Sequence, residues 1–344
     1  MERYLGLDVH RDSTSVAVMS ARGKRVRRDR VETNGQALVG YLKSLAGELH
    51  LCLEEGEWSQ WLVEILSPHA KRVVVYRPQW NPGPKNDQID AHNLADRLRT
   101  GRIGCPVYKA PQRWAKLRET VRVHTKLTQD VVRAKQRLKG LLRRRGVVPR
   151  SAELYDPSRR KGWVAKLPAG LRSSAELLGR ELDCLEQLRA EAERAMLTEA
   201  RRFKITRILE TAPGIGPKRA ALLLAVVVTP HRFRTKRQFW SYCGFAVVTR
   251  TSSDWVPSDG GWRRAPVIKT RGLNRSCNRS LKALFKGAAI SAVEHSKPNP
   301  LREKYEQLLA AGTKPNLAKL TIARSIAAIV LAMWKTETQY KPVS

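Results

Sequence analysis

Apolar and polar positions change their period along this chain, and the changes mark out its parts. Up to about residue 78, short alternating runs of strand type are separated by stretches with helical spacing. RYLGLDV (3–9) and STSVAVMS (13–20) predict a hairpin, and KRVRRDRVE (24–32) a third strand with a solvated basic face. NGQALVGYLKSLAG (34–47) has helical spacing behind an Asn cap, and LHLCLEE (49–55) is a short β-like run. SQWLVEILSPHA (59–70) reads as a helix and KRVVVYRP (71–78) as a Val-rich buried strand. A Pro/Gly-rich loop, RPQWNPGP, then leads into the helical pattern DQIDAHNLADRLR. The order predicts an α/β domain built on a mixed sheet.

From about 111 to 200 the strand signals disappear. Two long segments, 111–146 and 174–202, carry apolar residues at three/four spacing around a Pro/Gly break. They predict an antiparallel coiled coil or a dimerisation arm. From 203 the pattern changes again. ILETAPGIGPKRAALLLAVV sets Pro-Gly-Ile-Gly between two helical segments, as in a helix-hairpin-helix. There Gly214 and Gly216 would let backbone N–H groups approach a phosphate, with Lys218 and Arg219 following, although an ordinary tight turn reads the same way. The tail, 301–335, is helical and amphipathic and closes a mainly helical C-terminal domain. The expected division is 1–108, 109–202 and 203–344.

Charge sharpens this picture. The 344 residues include 65 Lys+Arg against 31 Asp+Glu, a formal net charge of +34. Such an excess calls for a polyanionic partner. The uninterrupted apolar run AALLLAVVV (220–228) falls well short of the roughly 20 residues a membrane span needs, and no signal-peptide pattern opens the chain, so a cytoplasmic protein without a membrane partner is expected. Five scattered cysteines with no CxxC pair point to a reducing compartment and away from a zinc site. Residues 97–150 hold 17 Lys/Arg and only Glu119 and Asp130, which suits a phosphate-tracking surface as well as a solvated face. Residues 230–286 hold 13 Lys/Arg interleaved with Phe233, Phe239, Trp240, Tyr242, Trp255 and Trp262, a mixture suited to base stacking, with a satisfied core accounting for part of it. The stretch 257–275 reads as a flexible basic loop, with Arg271 and Asn274 as phosphate contacts.

Against this background four carboxylates stand out. Asp8 lies in LGLDVH among Leu5, Leu7 and Val9, where burial without a partner costs several kcal/mol or forces protonation. Glu54 ends the run LHLCLE, with Glu55 or Glu57 as the alternative and a merely solvated side chain as the plain reading. Asp87 and Asp90 are three apart at the start of a helix and therefore share one face, though Asp87 could serve as a cap and Asp90 as a first-turn dipole partner. If the strands of Asp8 and Glu54 are neighbours, all four can meet at one rim. Hard oxygen ligands so arranged suit Mg²⁺, and two ions about 3.5–4 Å apart serve phosphoryl transfer.

The order Asp8, Glu54, Asp87, Asp90 resembles the DEDD set of RuvC-like, ribonuclease H-fold nucleases. With GLD (6–8), CLE (52–54), DQIDA (87–91), the basic helical segment, PGIG and RQFWSYCGF, nearly the whole chain resembles transposases of the insertion sequence 110 family and the related Piv-type DNA invertases. The resemblance implies site-specific DNA recombination through a serine hydroxyl and a covalent phosphoserine intermediate. It places the nucleophile eight residues beyond Gly244, at Ser252, where Ser253 stands in place of the family's usual glycine and is the alternative. It further implies a composite centre shared between protomers, a dimer or tetramer, Mg²⁺ on the acidic set, and a structured guide RNA pairing with donor and target DNA. Two rival readings are a structure-selective Mg²⁺ endonuclease without serine chemistry and a non-enzymatic nucleic-acid-binding protein.

Overall fold

The computed structural model describes residues 1–77, 87–104, 106–252, 255–265, 268–295 and 299–341. Two compact units form, Met1–Ala115 and Lys116–Ser344.

The first unit contains β1 (Glu2–Val9), β2 (Ser13–Ser20), β3 (Arg25–Glu32), α1 (Gly35–Lys43), β4 (Glu48–Glu54), α2 (Ser59–Leu66), β5 (Arg72–Tyr76) and α3 (Asp87–Arg99). One mixed sheet runs β3-β2-β1-β4-β5. The hairpins pair antiparallel, while β1, β4 and β5 are parallel. The predicted α/β element order is therefore present, with α1 ending four residues earlier than its apolar spacing suggested. The asparagine cap is real: Asn34 accepts a hydrogen bond from the Ala37 N–H at 2.7 Å.

Side chains on a strand alternate between faces. Leu5, Leu7, Leu51 and Leu53 pack on Leu38 and Leu42 of α1 and on Leu62 and Leu66 of α2. The opposite face carries Cys52, Val74 and Tyr76 against Leu94 and Leu98 of α3. Gly6 belongs to that second face, and a Cβ there would overlap the Ala91 carbonyl oxygen and Leu94 of α3. This glycine sets how closely the helix approaches the strand. At one edge β5 is covered by the 106–107 segment, where the Val107 N–H donates to the Val75 carbonyl at 2.7 Å. At the other edge β3 stays open and exposes most of its residues, among them Arg25, Arg27 and Arg28.

The second unit opens with α4 (Ala115–Arg143), followed by α5 (Ser151–Tyr155), α6 (Pro157–Val164) and α7 (Ala169–Ala200). Helices α4 and α7 run antiparallel to each other within the chain. Lys116 pairs with Glu199, His124 with Glu193, Lys135 with Glu186 and Arg137 with Glu181, so partners descend along α7 as they ascend along α4. Val131, Ala134, Leu138 and Leu142 meet Ala175 and Leu182 beneath these pairs. Arg160 of α6 closes the far end: its guanidinium donates to both Asp183 carboxylate oxygens at 2.7 Å and to the Leu154 carbonyl at 3.1 Å.

The rest of the unit comprises α8 (Ile205–Glu210), α9 (Pro217–Val227), α10 (Lys236–Tyr242), β6 (Val247–Ser252), β7 (Trp255–Ser258), β8 (Gly261–Arg264), β9 (Ile268–Leu273), α11 (Arg279–Ile290), α12 (Pro300–Ala310) and α13 (Pro315–Thr336). Phe239, Phe245 and Phe285 are fully buried among these helices. By length and composition α13 could cross a membrane, with a mean hydropathy of 1.6 over 18 residues. Scanning for an unbroken apolar run misses it, because Lys319 and Arg324 interrupt the run. Its Ile322, Ile326, Ala327 and Val330 are wholly buried in the unit, as in a core helix.

The expected flexible loop over 257–275 is instead largely β structure. β6 pairs antiparallel with β9, and the β7–β8 hairpin is nested between them. VVTRTS and IKTRGL carry no period-2 apolar pattern, and Asp259-Gly260-Gly261 supplies the turn of the nested hairpin, Gly260 with φ +98° and Gly261 with φ +140°. With polar residues on both faces, such strands lack the one-sided hydrophobic signal that betrays a sheet.

Candidate active site

Strands β1 and β4 lie side by side in parallel with Leu7 opposite Leu53, so Asp8 and Glu54 are next to each other in sequence register at the strands' carboxyl ends. Both fall on the face that α3 covers, because Asp8 follows the parity of Gly6 and Glu54 that of Cys52. Helix α3 brings Asp87 and Asp90 in its first turn to the same end.

The meeting is close for part of the set. Ligand atoms of Asp8, His10 and Asp87 all lie within 4.8 Å of one another. His10 Nε2 sits 3.1 Å from Asp8 Oδ2 and 3.5 Å from Asp87 Oδ1. The Asp8 side chain is 19% exposed and that of Asp87 is 50% exposed, so the cluster opens from the sheet edge towards solvent. Burial holds the Asp8 carboxyl above the usual carboxylate range; His10 pulls it down, and the charges of Asp87 and Asp90 push it further up. Asp90 therefore acts on Asp8 through its field while lying outside the 4.8 Å group.

Glu54 also lies outside that group. Its Oε1 accepts a hydrogen bond from the Tyr76 hydroxyl at 2.5 Å, and Arg97 of α3 stands over the Tyr76 ring. Glu55 is engaged elsewhere, 2.5 Å from Lys109 Nζ. Cys52, next on the inner face, has its thiol pushed up to about 12 by burial and is chemically quiet. Sequence reasoning missed His10. It lies just past the end of β1, where strand alternation no longer fixes the direction of a side chain.

The donor set fits a divalent cation. Carboxylates at this rim repel one another, their partner is a histidine that is charged only when protonated, and one of them is largely buried. Oxygen ligands of this kind, open to solvent on one side, leave room for waters and a phosphate.

The second unit bears the remaining candidates. Ser252 is the last residue of β6, in register with Ile268 of β9. The side chains of Ser252 and Arg271, and the whole of Ser253, lie outside the described residues. The Pro-Gly-Ile-Gly turn does join two helices, α8 and α9, and its Gly214 and the following Arg219 face inward. Gly214 has φ +71°, and a Cβ there would overlap the Ala288 backbone of α11. Arg219 donates to the Gly214 carbonyl at 2.7 Å and to Ser291 Oγ at 3.0 Å. Lys218 pairs with Glu193 of α7 at 2.8 Å. Gly216 caps α9 with open space around it. Asn274 is spent on the backbone: its Nδ2 donates to the Ser276 carbonyl at 3.0 Å and its Oδ1 accepts from the Ser276 N–H at 3.0 Å. Gly214, Arg219 and Asn274 thus make contacts within the fold, whereas Gly216 and Lys218 keep exposed surface. A cleft of about 320 Å³ elsewhere in the unit is lined by Arg118, Arg122 and Lys126 of α4 and by Asn278 and Ser280 at the start of α11.

Comparison with known families accords with this arrangement. Residues 5–145 match the IS110-type DEDD domain described as Transposase, and residues 206–306 match the Transposase IS116/IS110/IS902 family. An uncharacterized 44.8 kDa protein of insertion element IS116 from Streptomyces clavuligerus is 25% identical over 83% of this chain and 82% of its own length. A probable family 20 transposase of Pseudomonas aeruginosa is 27% identical over 86% of this chain and 85% of its own. An uncharacterized 43.6 kDa protein of insertion element IS110 from Streptomyces coelicolor is 32% identical over 45% of this chain and 35% of its own. With both domains in that order over more than two thirds of its length, the chain carries the transposase domains of the IS110/IS116 family and is a transposase, an enzyme that acts on DNA.

Proposed function

We propose that this transposase mobilises its insertion sequence by serine-mediated DNA recombination at a Mg²⁺-binding acidic centre, guided by a structured RNA. The observation that carries the metal part is the gathering of Asp8, His10 and Asp87 within 4.8 Å, with Asp90 adding its charge to the same point. Asp8, Asp87 and Asp90 would hold the ion, with Glu54 joining them on release from Tyr76. A divalent cation bound there would polarise the scissile phosphate and offset the charge gathering on its oxygens.

The chain's own residues do the rest. The Ser252 hydroxyl oxygen bonds to a backbone phosphorus and gives up its proton to a nearby base or water. The sugar oxygen on the other side of the phosphorus leaves and takes a proton, so a phosphoserine ester replaces the phosphodiester. His10, which bridges Asp8 and Asp87 while the carboxylates stand alone, keeps them apart and oriented until a cation takes that place. In this reading the RuvC-like domain and the serine domain of different protomers build one centre in a dimer or tetramer, and the basic surfaces of α4 carry donor DNA, target DNA and guide RNA.

The test is a search on denaturing gels for protein covalently joined to DNA, with Mg²⁺ and RNA supplied or withheld. Ser252→Ala should abolish the adduct. If cleavage persists in that variant with no adduct in the native protein, the enzyme is a hydrolytic nuclease and the serine reading falls. Asp87→Asn with Asp90→Asn should abolish activity while DNA affinity is preserved or raised, because negative charge is removed. Loss of binding along with activity would count against the metal centre.

A further inference from the structure

The aromatic residues of 230–286 divide sharply. Phe233 and Phe239 are buried at 6% and 0% exposure and serve the core. Trp255 and Trp262 stand out at 56% and 69% exposure, on the β7–β8 hairpin. Trp255 pairs with Arg264 and Pro257 with Trp262 across the two strands, so all four residues lie on one face. The Arg264 guanidinium sits over the Trp255 ring at 5.6 Å from its centroid. Arg263 lies on the other face, and Val256 is the single residue of the hairpin that is even partly buried.

Nothing within this hairpin repays the exposure of two indole rings. A two-stranded ribbon without a hydrophobic layer is marginal in water, and each tryptophan forgoes the large burial that normally fixes it. Trp255 and Trp262 are diagonal neighbours across the strands, their backbone positions about 7–8 Å apart, so both rings can meet one ligand. The segment 247–273 carries five Lys/Arg and two Asp. Flat aromatic faces beside guanidinium groups match a partner that offers exposed π-faces and phosphates together. Duplex DNA hides its base faces in the stack, whereas an unpaired strand presents them.

We propose that the Trp255/Trp262 face of the β7–β8 hairpin binds unpaired nucleobases, holding a single strand by stacking while Arg264 neutralises its phosphates. The hairpin is then a strand-separating or strand-holding element. The inference takes its partner class from the transposase assignment and uses none of the metal or serine chemistry.

The experiment measures binding of the full-length protein to three fluorescent probes by anisotropy, all in EDTA so that no metal centre takes part. The probes are a thymidine homopolymer single strand, the uridine RNA of the same length, and the thymidine strand annealed to its adenosine complement. Trp255→Ala/Trp262→Ala should weaken single-strand binding by about tenfold or more per tryptophan, with the duplex little changed. Trp255→Phe/Trp262→Phe should retain most of the affinity, since a ring remains. A loss confined to DNA or to RNA supports the proposal and identifies the strand. An equal loss on duplex and single strand, or no loss on any probe, overturns it. As a second measurement, a 5-iodouracil single strand irradiated on the native protein should crosslink to the peptide containing 255–264; crosslinks found only elsewhere refute the site.

Discussion

Asp8 shows what one half-buried carboxylate costs the fold. Its carboxyl titrates above the ordinary value of 3.8 because it is buried near Asp87 and Asp90. The native state thus holds that proton more tightly than the unfolded chain does. Stability is greatest below the ordinary value and falls as pH rises from there through the raised native one, so at neutral pH the ionised group costs the fold stability. Asp8→Asn should therefore melt a few degrees higher than the native protein at pH 7 in EDTA, while losing all DNA cleavage. Added Mg²⁺ should raise the melting temperature of the native chain by mass action and leave that of the variant unmoved. Equal responses in calorimetry would show that no ion binds at this carboxylate. The aspartates were legible as residues because a lone charge inside LGLDVH is out of place and because positions three apart on a helix must share a face. His10 was not, since a histidine in a turn-like HRDS stretch carries no burial signal of its own. Nor did Arg219 disclose in the sequence that it would turn inward, a matter of where α11 comes to lie.

At the scale of elements, the acidic cluster depends on how tightly α3 lies on β1, and Gly6 permits that contact. Gly6→Ala puts a methyl group into the Ala91 carbonyl and Leu94, with overpacking worth about 1–3 kcal/mol. Urea unfolding should register that loss, and DNA cleavage should fall much further than stability, because lifting α3 carries Asp87 and Asp90 away from Asp8. A variant that is destabilised yet fully active would show that the helix need not be so close. In the helical arm, Arg160 is 8% exposed and is held by both oxygens of Asp183. Arg160→Ala should cost about 2–4 kcal/mol in the same assay, since it leaves the Leu154 carbonyl without its donor and a void beside Gly179. The strands and helices of the first unit announced themselves through one-sided hydrophobic periods. The β6–β9 ribbon did not: VVTRTS and IKTRGL have no period-2 apolar pattern, and composition alone suggested a loop.

For the whole molecule the dominant fact is the charge of +34. Binding to DNA or RNA should weaken linearly in log–log terms as salt rises, by about a thousandfold or more between roughly 50 and 200 mM if six or more phosphates are neutralised. A shallow dependence in titrations at several salt concentrations would mean that few of these cations face the ligand. Fold class and polyanionic partner were readable from charge and period, whereas the way the residues of the glycine turn are used depended on contacts between distant segments. A last consequence concerns β3. Among the described residues no strand pairs with its outer edge, the kind of edge that accepts a strand from a second molecule and leads to uncontrolled stacking. Because Arg25, Arg27, Arg28 and Arg30 line that border, two such borders brought together would set like charges side by side. The molecule can thus be concentrated on a nucleic acid, which screens and orders its cations, without sticking to its own copies through the sheet.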